Sequence, residues 1–308
     1  MTKVFIDGSS GTTGLRIHER LCMRKNIELI TLAEAVRKDK EARRDAFQKA
    51  DIAFLCLPDA AAIEAVALAE QSGAVIIDTS TAHRTAAGWE YGMPELAGRR
   101  EKIANAKRIA NPGCHASGFI VLIAPLVEQG LLAKDANLTC FSLTGYSGGG
   151  KNMIAEYEDP QRSPLLKAPR QYALGQAHKH LKEMNAICGL ENRPVFCPIV
   201  ADFYSGMEVT VSLFKKDLRG NVEDVRQLYA SYYQGPIVRY KEAADENGFM
   251  SAASYAGRDD MEVTVTGNGE RILLVSRFDN LGKGASGAAI QNMNLVLGLP
   301  EVTGLEIK

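Results

Sequence analysis

The chain of 308 residues is 46% hydrophobic, which is enough to bury a large core and favours two domains. Its 36 Lys and Arg balance 37 Asp and Glu, so the net charge of -1 gives no general attraction to nucleic acid or to an anionic membrane. The six cysteines lack the spacing of zinc or redox pairs, so we expect no metal site. Neither a signal-peptide pattern nor an apolar run of roughly 18 residues is present, so we expect a cytoplasmic protein with a small-molecule partner.

The first hundred residues alternate short aliphatic stretches, typical of buried strands, with stretches that suit helices. The predicted strands are residues 3–6, 27–32, 52–57, 74–77 and 108–110. The predicted helices are residues 12–23, 40–49 and 60–71. Strands and helices that alternate in this way predict an α/β domain with a parallel, doubly wound sheet, which is the Rossmann arrangement.

Beyond residue 135 the strands become longer and fewer helices separate them. This pattern predicts an α+β domain with a mostly antiparallel sheet. Its predicted strands are residues 138–144, 207–214, 262–266 and 271–276, and its predicted helices are residues 173–187 and 222–233. Residues 151–170 contain three prolines and predict a long exposed loop.

The end of the chain returns to helical spacing. Residues 282–297 are small and apolar, and they predict a helix that packs on the first domain. We therefore expect a dinucleotide-binding domain in residues 1–113, joined by a C-terminal helix within residues 283–308, and a catalytic domain in residues 114–282.

Cys114 stands where a predicted apolar helix begins. Pro112 and Gly113 prevent an earlier start, while residues 119–127 continue in helix-compatible apolar types. The unpaired N–H groups and the dipole of a helix N-terminus favour an anion, and a thiolate is an anion. An ordinary, partly apolar buried cysteine is the alternative interpretation. We predict that Cys114 is a catalytic nucleophile.

The first predicted strand leads into the glycine-rich loop Asp7-Gly8-Ser9-Ser10-Gly11-Thr12-Thr13-Gly14, and a predicted helix follows. Bare backbone and a helix N-terminus suit a pyrophosphate, although the spacing is G-x-x-G-x-x-G rather than the usual dinucleotide G-x-G-x-x-G. A tight turn without a ligand is the alternative. The expected cofactor contacts are Gly8, Ser10, Gly11, Thr12, Thr13 and Gly14.

The nucleotide preference depends on residues after the second strand. Glu34 could bind a ribose hydroxyl, whereas Arg37 and three more basic residues could bind the 2′-phosphate of NADP. Those three residues are Lys38, Arg43 and Arg44. Four basic side chains favour NADP(H), and Arg37 is the one that we assign to the 2′-phosphate. A solvent-exposed helix face would carry the same residues and is the alternative interpretation.

Two further segments carry polar groups at expected strand ends. Asp78-Thr79-Ser80-Thr81-Ala82-His83-Arg84 follows the fourth strand, where Arg84 could bind a phosphate or carboxylate at two points or form a surface ion pair. Thr144-Gly145-Tyr146-Ser147-Gly148-Gly149-Gly150-Lys151 offers hydroxyls and bare amides that suit an anion or a carbonyl oxygen. A flexible hairpin is the alternative for this second segment.

His178 and His180 are candidates for a general acid or base that works near neutral pH. They lie two residues apart at a predicted helix, so they face different directions and cannot both point at one thiol. The residues alone leave open which of them carries the proton. His18 and His83 are interpreted as structural.

Together these segments resemble the N-acetyl-gamma-glutamyl-phosphate reductases of the short type, in the superfamily of aspartate-semialdehyde and glyceraldehyde-3-phosphate dehydrogenases. The matching motifs are the Gly8 to Gly14 loop, Asp78-x-Ser80-x-x-x-Arg84, Asn111-Pro-Gly-Cys114, Ser147-Gly-Gly-Gly, His178-Lys-His180 with Glu183, and Asp279-Asn-Leu-x-Lys283-Gly-Ala-x-Gly287. One departure concerns the histidine motif. The family commonly has His-Arg-His followed by Pro-Glu, where this chain has His178-Lys179-His180-Leu181-Lys182-Glu183.

The resemblance implies NADPH-dependent reduction of N-acetyl-L-glutamyl 5-phosphate to the 5-semialdehyde and phosphate, in arginine biosynthesis. It implies that Cys114 forms a thioester and that His178 moves the proton. The implied substrate contacts are Ser80, Arg84, Ser147, His180 and Glu183, with Arg84 at the phosphate and Asn280 added to the cofactor contacts. It further implies a homo-oligomer, either a dimer or a tetramer.

Two other functions remain open on the sequence. An enzyme similar to aspartate-semialdehyde dehydrogenase would share the thiol and the cofactor loop and act on another acyl phosphate. A nucleotide-sensing regulator would keep the cofactor fold without thiol chemistry, so blocking Cys114 would leave its NADP binding intact.

Overall fold

The computed structural model describes all 308 residues. They form two compact units, Met1–Pro112 with Ala285–Leu305 and Gly113–Gly284 with Glu306–Lys308. The expected boundaries lie within two residues of these. Residues 306–308, expected with the first domain, belong to the second unit, because Asp259 and Glu306 exchange two hydrogen bonds of 2.8 Å there.

The first unit contains a sheet of six parallel strands. These are β1 (Thr2–Asp7), β2 (Ile27–Ile30), β3 (Ile52–Leu55), β4 (Val75–Asp78), β5 (Glu90–Tyr91) and β6 (Arg108–Ala110), in the order β2-β1-β3-β4-β6-β5. Its helices include α1 (Thr12–Leu21), α2 (Lys40–Lys49), α3 (Asp59–Leu68) and α4 (Arg99–Ala104). The strands β2 and β3 lie on opposite sides of β1, so the strand order reverses at β1. A doubly wound sheet has its ligand cleft at such a point, here at the carboxyl end of β1. The predicted Rossmann-type α/β fold is confirmed.

Both faces of this sheet are covered, and β1 shows why its sequence is continuously apolar. Val4 and Ile6 pack with Ile17 of α1 on one face. Phe5 points to the other face, where it packs with Phe47 of α2. Because successive side chains of a strand alternate between faces, a sheet covered on both sides needs apolar residues at every position.

The second unit contains a seven-stranded mixed sheet. Its strands are β7 (Thr139–Gly145), β8 (Arg170–Gln171), β9 (Val195–Ala201), β10 (Met207–Phe214), β11 (Val238–Tyr240), β12 (Met261–Gly267) and β13 (Arg271–Phe278), in the order β11-β12-β13-β10-β7-β9-β8. Its helices are α5 (Cys114–Glu128), α6 (Gly150–Glu158), α7 (His180–Cys188) and α8 (Val222–Tyr232). Two strand pairs, β7 with β9 and β11 with β12, are parallel, and the other four are antiparallel.

One face of this sheet is covered by helices, and the other is partly open. On the covered face, α5 packs against β10 and β13. The open face carries Phe141, Val195 and Leu273, whose exposed fractions are 47%, 54% and 40%. The strand register places all three on the same side of the sheet. An exposed apolar face of this kind is typical of a surface that binds another protein.

The last helix, α9 (Gly287–Val296), belongs to the first unit. It follows a π-helical turn at Gly282–Ser286. Ile290 and Met293 complete the core on the face of the first sheet that also holds Ile17. None of the nine α-helices is both long and apolar enough to cross a membrane.

Two predicted segments of the second unit are wrong. Residues 151–170, expected as a loop, contain most of α6 and a 3-10 turn, because Tyr157 and Leu166 bury against Val200. The helix expected from residue 173 begins only at His180. Ala173 and Gln176 have φ values of 52° and 53°, which a right-handed helix cannot contain.

Candidate active site

Cys114 is the first residue of α5, and the thirteen residues after it are all buried. Cys114 itself is partly exposed. Gly113 at the N-cap provides no side-chain hydrogen bond to the first turn, and no acidic residue lies in that turn. The backbone N–H groups and the positive end of the helix dipole therefore act on the thiol without a competing cap.

The turn after β13 approaches the thiol side chain closely. A Cβ on Gly284 would lie 2.9 Å from the Cβ of Cys114. Asp279, which is fully buried, fixes this turn by accepting from the backbone N–H of Leu281 at 2.7 Å and from the Ser205 hydroxyl at 3.0 Å. Its carbonyl accepts from the N–H of Gly284 at 2.9 Å. The backbone at Gly284 thus limits the positions that the Cys114 side chain can take.

His178 and His180 occupy different environments, as their spacing predicts. Their ring centres lie 4.7 Å apart, but His178 is partly exposed and His180 is 5% exposed. Nδ1 of His178 accepts from the backbone N–H of His180 at 3.2 Å. This bond favours the neutral ring with its proton on Nε2. The exposed position of His178 favours it as the proton carrier.

Glu183 supports the start of α5. It is 2% exposed, and its Oε2 accepts from the backbone N–H of Gly113 at 3.2 Å. Its Oε1 lies 3.8 Å from Nε2 of His180. His180 and Glu183, which the sequence predicts to contact the substrate, are both buried. Glu183 lies at the residue that precedes the thiol in the chain.

Sequence analysis missed His115 and Tyr172. His115 is 3% exposed, and its Nδ1 and Nε2 lie 2.6 Å from the Ser142 hydroxyl and 2.7 Å from the Tyr172 hydroxyl. Burial lowers the pKa of His115 to about 3, with smaller contributions from His178 and Lys179, so the ring is neutral. Burial, and secondly the negative charge of a Cys114 thiolate, raise the pKa of the Tyr172 hydroxyl.

The Ser147 loop is a 3-10 turn, Tyr146–Gly149, that leads into α6. The buried Ser147 hydroxyl accepts from Nδ2 of Asn280 at 3.0 Å. Oδ1 of Asn280 accepts from the backbone N–H of Gly206 at 2.9 Å. Asn280, which the resemblance implies to be a cofactor contact, is bonded at both ends of its amide within the second unit and holds the Ser147 loop.

In the first unit, the residues after β4 are tied to one another. The Ser80 hydroxyl donates to the buried Asp78 carboxylate at 2.7 Å. Arg84, 8% exposed, donates from Nε to the carbonyl of Asn111 at 2.9 Å and from Nη2 to that of Thr79 at 3.1 Å. Ser80 and Arg84 were expected to bind substrate, but these contacts favour a structural role. They hold the backbone three residues before Cys114 in the chain.

The glycine loop after β1 has two glycines required by packing and one that is not. Gly8 has a φ of +91°, and a Cβ there would collide with the carbonyl of Cys56. A Cβ on Gly14 would collide with the carbonyl of Gly8. At Gly11, by contrast, the nearest protein atom to a Cβ would be 3.6 Å away. Gly11 is also the N-cap of α1 and provides no side-chain cap, so the first turn of α1 has backbone N–H groups without a capping side chain, which is the arrangement that suits a phosphate.

A cleft of about 220 Å³ lies at this loop, at the carboxyl end of β1. Arg37 and Lys38 line it together with Gly8 and Ser10. Nη1 of Arg37 lies 3.3 Å from the Ser10 hydroxyl, and its Nη2 pairs with Glu34 at 3.2 Å. The residues present therefore fit a dinucleotide.

Two of the four bases considered for the 2′-phosphate have other roles. Arg43 is buried and donates to the Asp7 carboxylate from Nε at 3.0 Å and from Nη2 at 2.8 Å. Its Nη1 donates to Glu64 at 3.0 Å. Arg44 pairs with Glu41 at 2.5 Å. Arg43 is therefore a core ion-pair residue, and Arg37 and Lys38 are the two bases at the cleft.

These two units define the class of protein. Residues 3–106 match the family model described as semialdehyde dehydrogenase, NAD binding domain, and residues 114–280 match semialdehyde dehydrogenase, dimerisation domain. The fold is similar to that of aspartate semialdehyde dehydrogenase II from Vibrio cholerae, solved with ASA, with a TM-score of 0.72 and 18% identity over 97% of this chain and 98% of the other. The enzyme from Candida albicans, solved with NADP, gives a TM-score of 0.66 at 15% identity over 96% and 98%.

Relatives of known name define the family within this class. N-acetyl-gamma-glutamyl-phosphate reductase 2 of Nostoc sp. is 44% identical to this chain over 98% of it and 99% of the relative. N-acetyl-gamma-glutamyl-phosphate reductase of Brucella ovis is 44% identical over 96% and 99%. The chain belongs to the N-acetyl-gamma-glutamyl-phosphate reductase family. Its first unit is a nicotinamide-nucleotide-binding domain.

The bare backbone at Gly11 generates a test of the cofactor cleft. Gly11→Val adds an isopropyl group where the pyrophosphate would approach but meets little protein, so we expect NADPH affinity to fall roughly tenfold or more, with the fold retained. Fluorescence titration measures the affinity, and thermal unfolding checks the fold. Gly73→Val is the matched control, because Gly73 has no atom within 4 Å of a Cβ. Equal affinity of Gly11→Val and wild type would show that the loop is only a turn.

Proposed function

We propose that this chain catalyses the NADPH-dependent reduction of N-acetyl-L-glutamyl 5-phosphate to N-acetyl-L-glutamate 5-semialdehyde and phosphate, a step of arginine biosynthesis. The observation that carries this proposal is the partly exposed thiol of Cys114 at the first turn of a buried helix. The identity of 44% to reductases over nearly the whole chain supports the choice of substrate.

In the first step, the Cys114 thiolate attacks the acyl carbon of the substrate. A carbon–sulfur bond forms, the bond from that carbon to the phosphate oxygen breaks, and inorganic phosphate leaves, so the acyl group is held as a thioester. The start of α5 stabilises the thiolate before attack. Because only the reduced thiol can attack, the proposal places the protein in the reducing cytoplasm.

NADPH, when bound, supplies the hydride that takes the thioester to the aldehyde level. The backbone N–H of Cys114 at the helix start stabilises the negative charge that collects on the acyl oxygen. His178 donates a proton to this oxygen as the imidazolium, for which its Nδ1 must take up a proton and give up its contact with the backbone N–H of His180, and it takes the proton back as the thiolate leaves. Ser147 and the glycines after it provide further donors for the substrate.

The cofactor assignment is NADP(H) in this proposal. Gly8, Ser10, Gly11, Thr12, Thr13 and Gly14 would hold the pyrophosphate. Arg37 would bind the 2′-phosphate, supported by its position at the cleft beside Ser10. Lys38, the other base that lines the cleft, supports the same preference.

A homo-oligomer is part of the proposal, and we place its contact on the open face of the second sheet. Phe141, Val195 and Leu273 give this face an apolar surface without covering helices. The matching family model is described as a dimerisation domain, which favours a second copy of this chain as the partner. Two such faces would bury each other's apolar groups.

The reaction is tested most directly in the oxidative direction, by reduction of NADP⁺ with N-acetyl-L-glutamate 5-semialdehyde and phosphate. We expect wild type to require phosphate and to prefer NADP⁺ to NAD⁺. Cys114→Ser should lose all turnover and keep its NADP⁺ affinity, since a serine hydroxyl is scarcely ionised near neutral pH. Cys22→Ser, at an exposed cysteine, is the control. A tenth of wild-type activity left in Cys114→Ser would rule out the thioester, and a preference for aspartate semialdehyde would rule out the substrate.

The roles of the two histidines are separated by their pH–rate profiles. His178→Asn keeps a hydrogen-bonding side chain but cannot titrate, so we expect a rate loss of roughly 10²- to 10⁴-fold and a flat profile near neutrality. His180→Asn should lower the unfolding temperature, because His180 is buried against Glu183. Its rate should still change with pH near neutrality, as in the wild type. If the rate of His180→Asn no longer changes with pH near neutrality and that of His178→Asn still does, the two roles are reversed.

The oligomer contact is tested by placing a charge on the open sheet face. Phe141→Asp should lower the mass of the assembly, because a buried unpaired carboxylate opposes association. Sedimentation velocity gives the mass. Ile63→Asp changes another exposed apolar side chain, 56% exposed, on α3 of the first unit and should leave the mass unchanged. An unchanged mass for Phe141→Asp would exclude this face.

A further inference from the structure

Three side chains of the second unit form one line of hydrogen bonds. Ser142 lies on β7 beneath α5, His115 follows Cys114 in α5, and Tyr172 follows β8. The two bonds measure 2.6 Å between Ser142 Oγ and His115 Nδ1 and 2.7 Å between His115 Nε2 and the Tyr172 hydroxyl. Each hydroxyl and each ring nitrogen can donate or accept, so the direction of the line has two solutions.

The environment of Ser142 selects one direction. Ser142 is fully buried, and His115 Nδ1 is the acceptor that the structure provides for its hydroxyl hydrogen. A buried hydroxyl hydrogen without an acceptor would destabilise the fold by about 1–3 kcal/mol. Ser142 therefore donates to Nδ1, which leaves the proton of the neutral ring on Nε2.

The direction then continues to Tyr172. With its proton on Nε2, His115 donates to the Tyr172 oxygen, so the tyrosine hydrogen is available for another acceptor. In the opposite direction Tyr172 would donate to Nε2 and have no hydrogen left to offer. The protonated imidazole would also donate to Tyr172. It is excluded because burial lowers the pKa of His115 to about 3.

The Tyr172 hydroxyl is held in place as well as oriented. The backbone N–H of Tyr172 donates to the carbonyl of Pro198 at 3.0 Å. Four residues later, the side-chain amide of Gln176 accepts from the N–H of Phe196 at 2.8 Å and donates to its carbonyl at 2.7 Å. Both contacts fix the segment that carries Tyr172 to β9. Tyr172 is partly exposed, whereas Ser142 and His115 are buried, so Tyr172 is the member of the line that reaches the surface.

We infer that Ser142 and His115 are positioning residues that make Tyr172 a hydrogen-bond donor to the acyl group held on Cys114. The chain of contacts determines the direction of the donor. Its recipient is inferred from His115, which follows Cys114 at the start of α5 and meets the Tyr172 hydroxyl at 2.7 Å. This inference rests on the proposed function for the identity of the acyl group. The direction of the hydrogen bonds does not depend on that function.

The direction is measured by ¹⁵N NMR of protein labelled at histidine. Nε2-protonated, Nδ1-protonated and charged imidazoles have distinct ¹⁵N shifts, and the His115→Asn variant assigns the His115 signal. We expect His115 to be neutral at pH 7 with its proton on Nε2, and Ser142→Ala to reduce that preference. A proton on Nδ1 in the wild type would overturn the inference. This measurement needs no turnover, so it stands whether or not the substrate is the one proposed.

The consequence for the reaction is measured by a double-mutant cycle. Ser142→Ala should lower kcat about tenfold and leave KM within about twofold, since one oriented hydrogen bond to the reacting group is weakened. In a Tyr172→Phe background, Ser142→Ala should have no further effect on kcat. An equal loss in both backgrounds would show a structural role only and overturn the inference.

Ser276→Ala is the matched control for the cycle. Ser276 is also a fully buried serine on the sheet beneath α5, but its hydroxyl donates to the carbonyl of Gly118 at 3.0 Å rather than to His115. It should lower the unfolding temperature as Ser142→Ala does and keep wild-type kcat. A loss of kcat equal to that of Ser142→Ala would contradict a specific role for Ser142. Wild-type protein without turnover on the semialdehyde would instead contradict the proposed function.

Discussion

The packing of α5 is the constraint on which the chemistry of the second unit depends. Its residues after Cys114 are buried in succession, and Gly118 lets the helix approach the sheet so closely that a Cβ there would lie 2.9 Å from Phe278. A helix held along its length has little freedom to slide or rotate. The position of the thiol is therefore set by the hydrophobic core, and the helix dipole acts at a point that packing has already fixed.

Buried polar side chains complete this arrangement. Glu183 and Asp279 accept hydrogen bonds from backbone N–H groups in two segments that lie next to Cys114, the start of α5 and the turn after β13. A carboxylate taken out of water must find such donors, so its burial also fixes the backbone that provides them. Arg84 and Asn280 likewise hold backbone, Arg84 at the carbonyl of Asn111 and Asn280 at the N–H of Gly206.

The parts of the fold governed by local rules could be predicted from the sequence. Pro112 and Gly113 set the start of α5, and the apolar strands of the first sheet are recognisable because both faces are covered. The strand β9 was missed because Pro198 interrupts its pattern, although a proline without an N–H is tolerated beside the two-residue strand β8. The late start of α7 follows from two backbone conformations that no propensity indicates.

The site residues could be predicted only where a local sequence motif contains them. The thiol and the glycine loop have local signals, whereas His115 and Tyr172 meet across a separation of 57 positions in the chain. Their contact depends on how β7, β9 and α5 pack together, and hydrophobic periodicity does not contain that information. The same holds for Arg43, whose charge suggested a phosphate ligand until its burial against Asp7 was known.

The attachment of the 172–178 segment to β9 has a mechanical consequence. Ser142 of β7 stands opposite Pro198 of β9 in the sheet, and Pro198 also holds the backbone of Tyr172. The sheet thus sets the distance between Ser142 and Tyr172. Through Gln176 it also sets the position of the backbone that leads to His178. Fluctuations of outer loops leave these spacings intact, whereas fraying of the β8–β9 edge shifts the tyrosine and histidine together, so the reactive geometry lasts only as long as that edge stays closed.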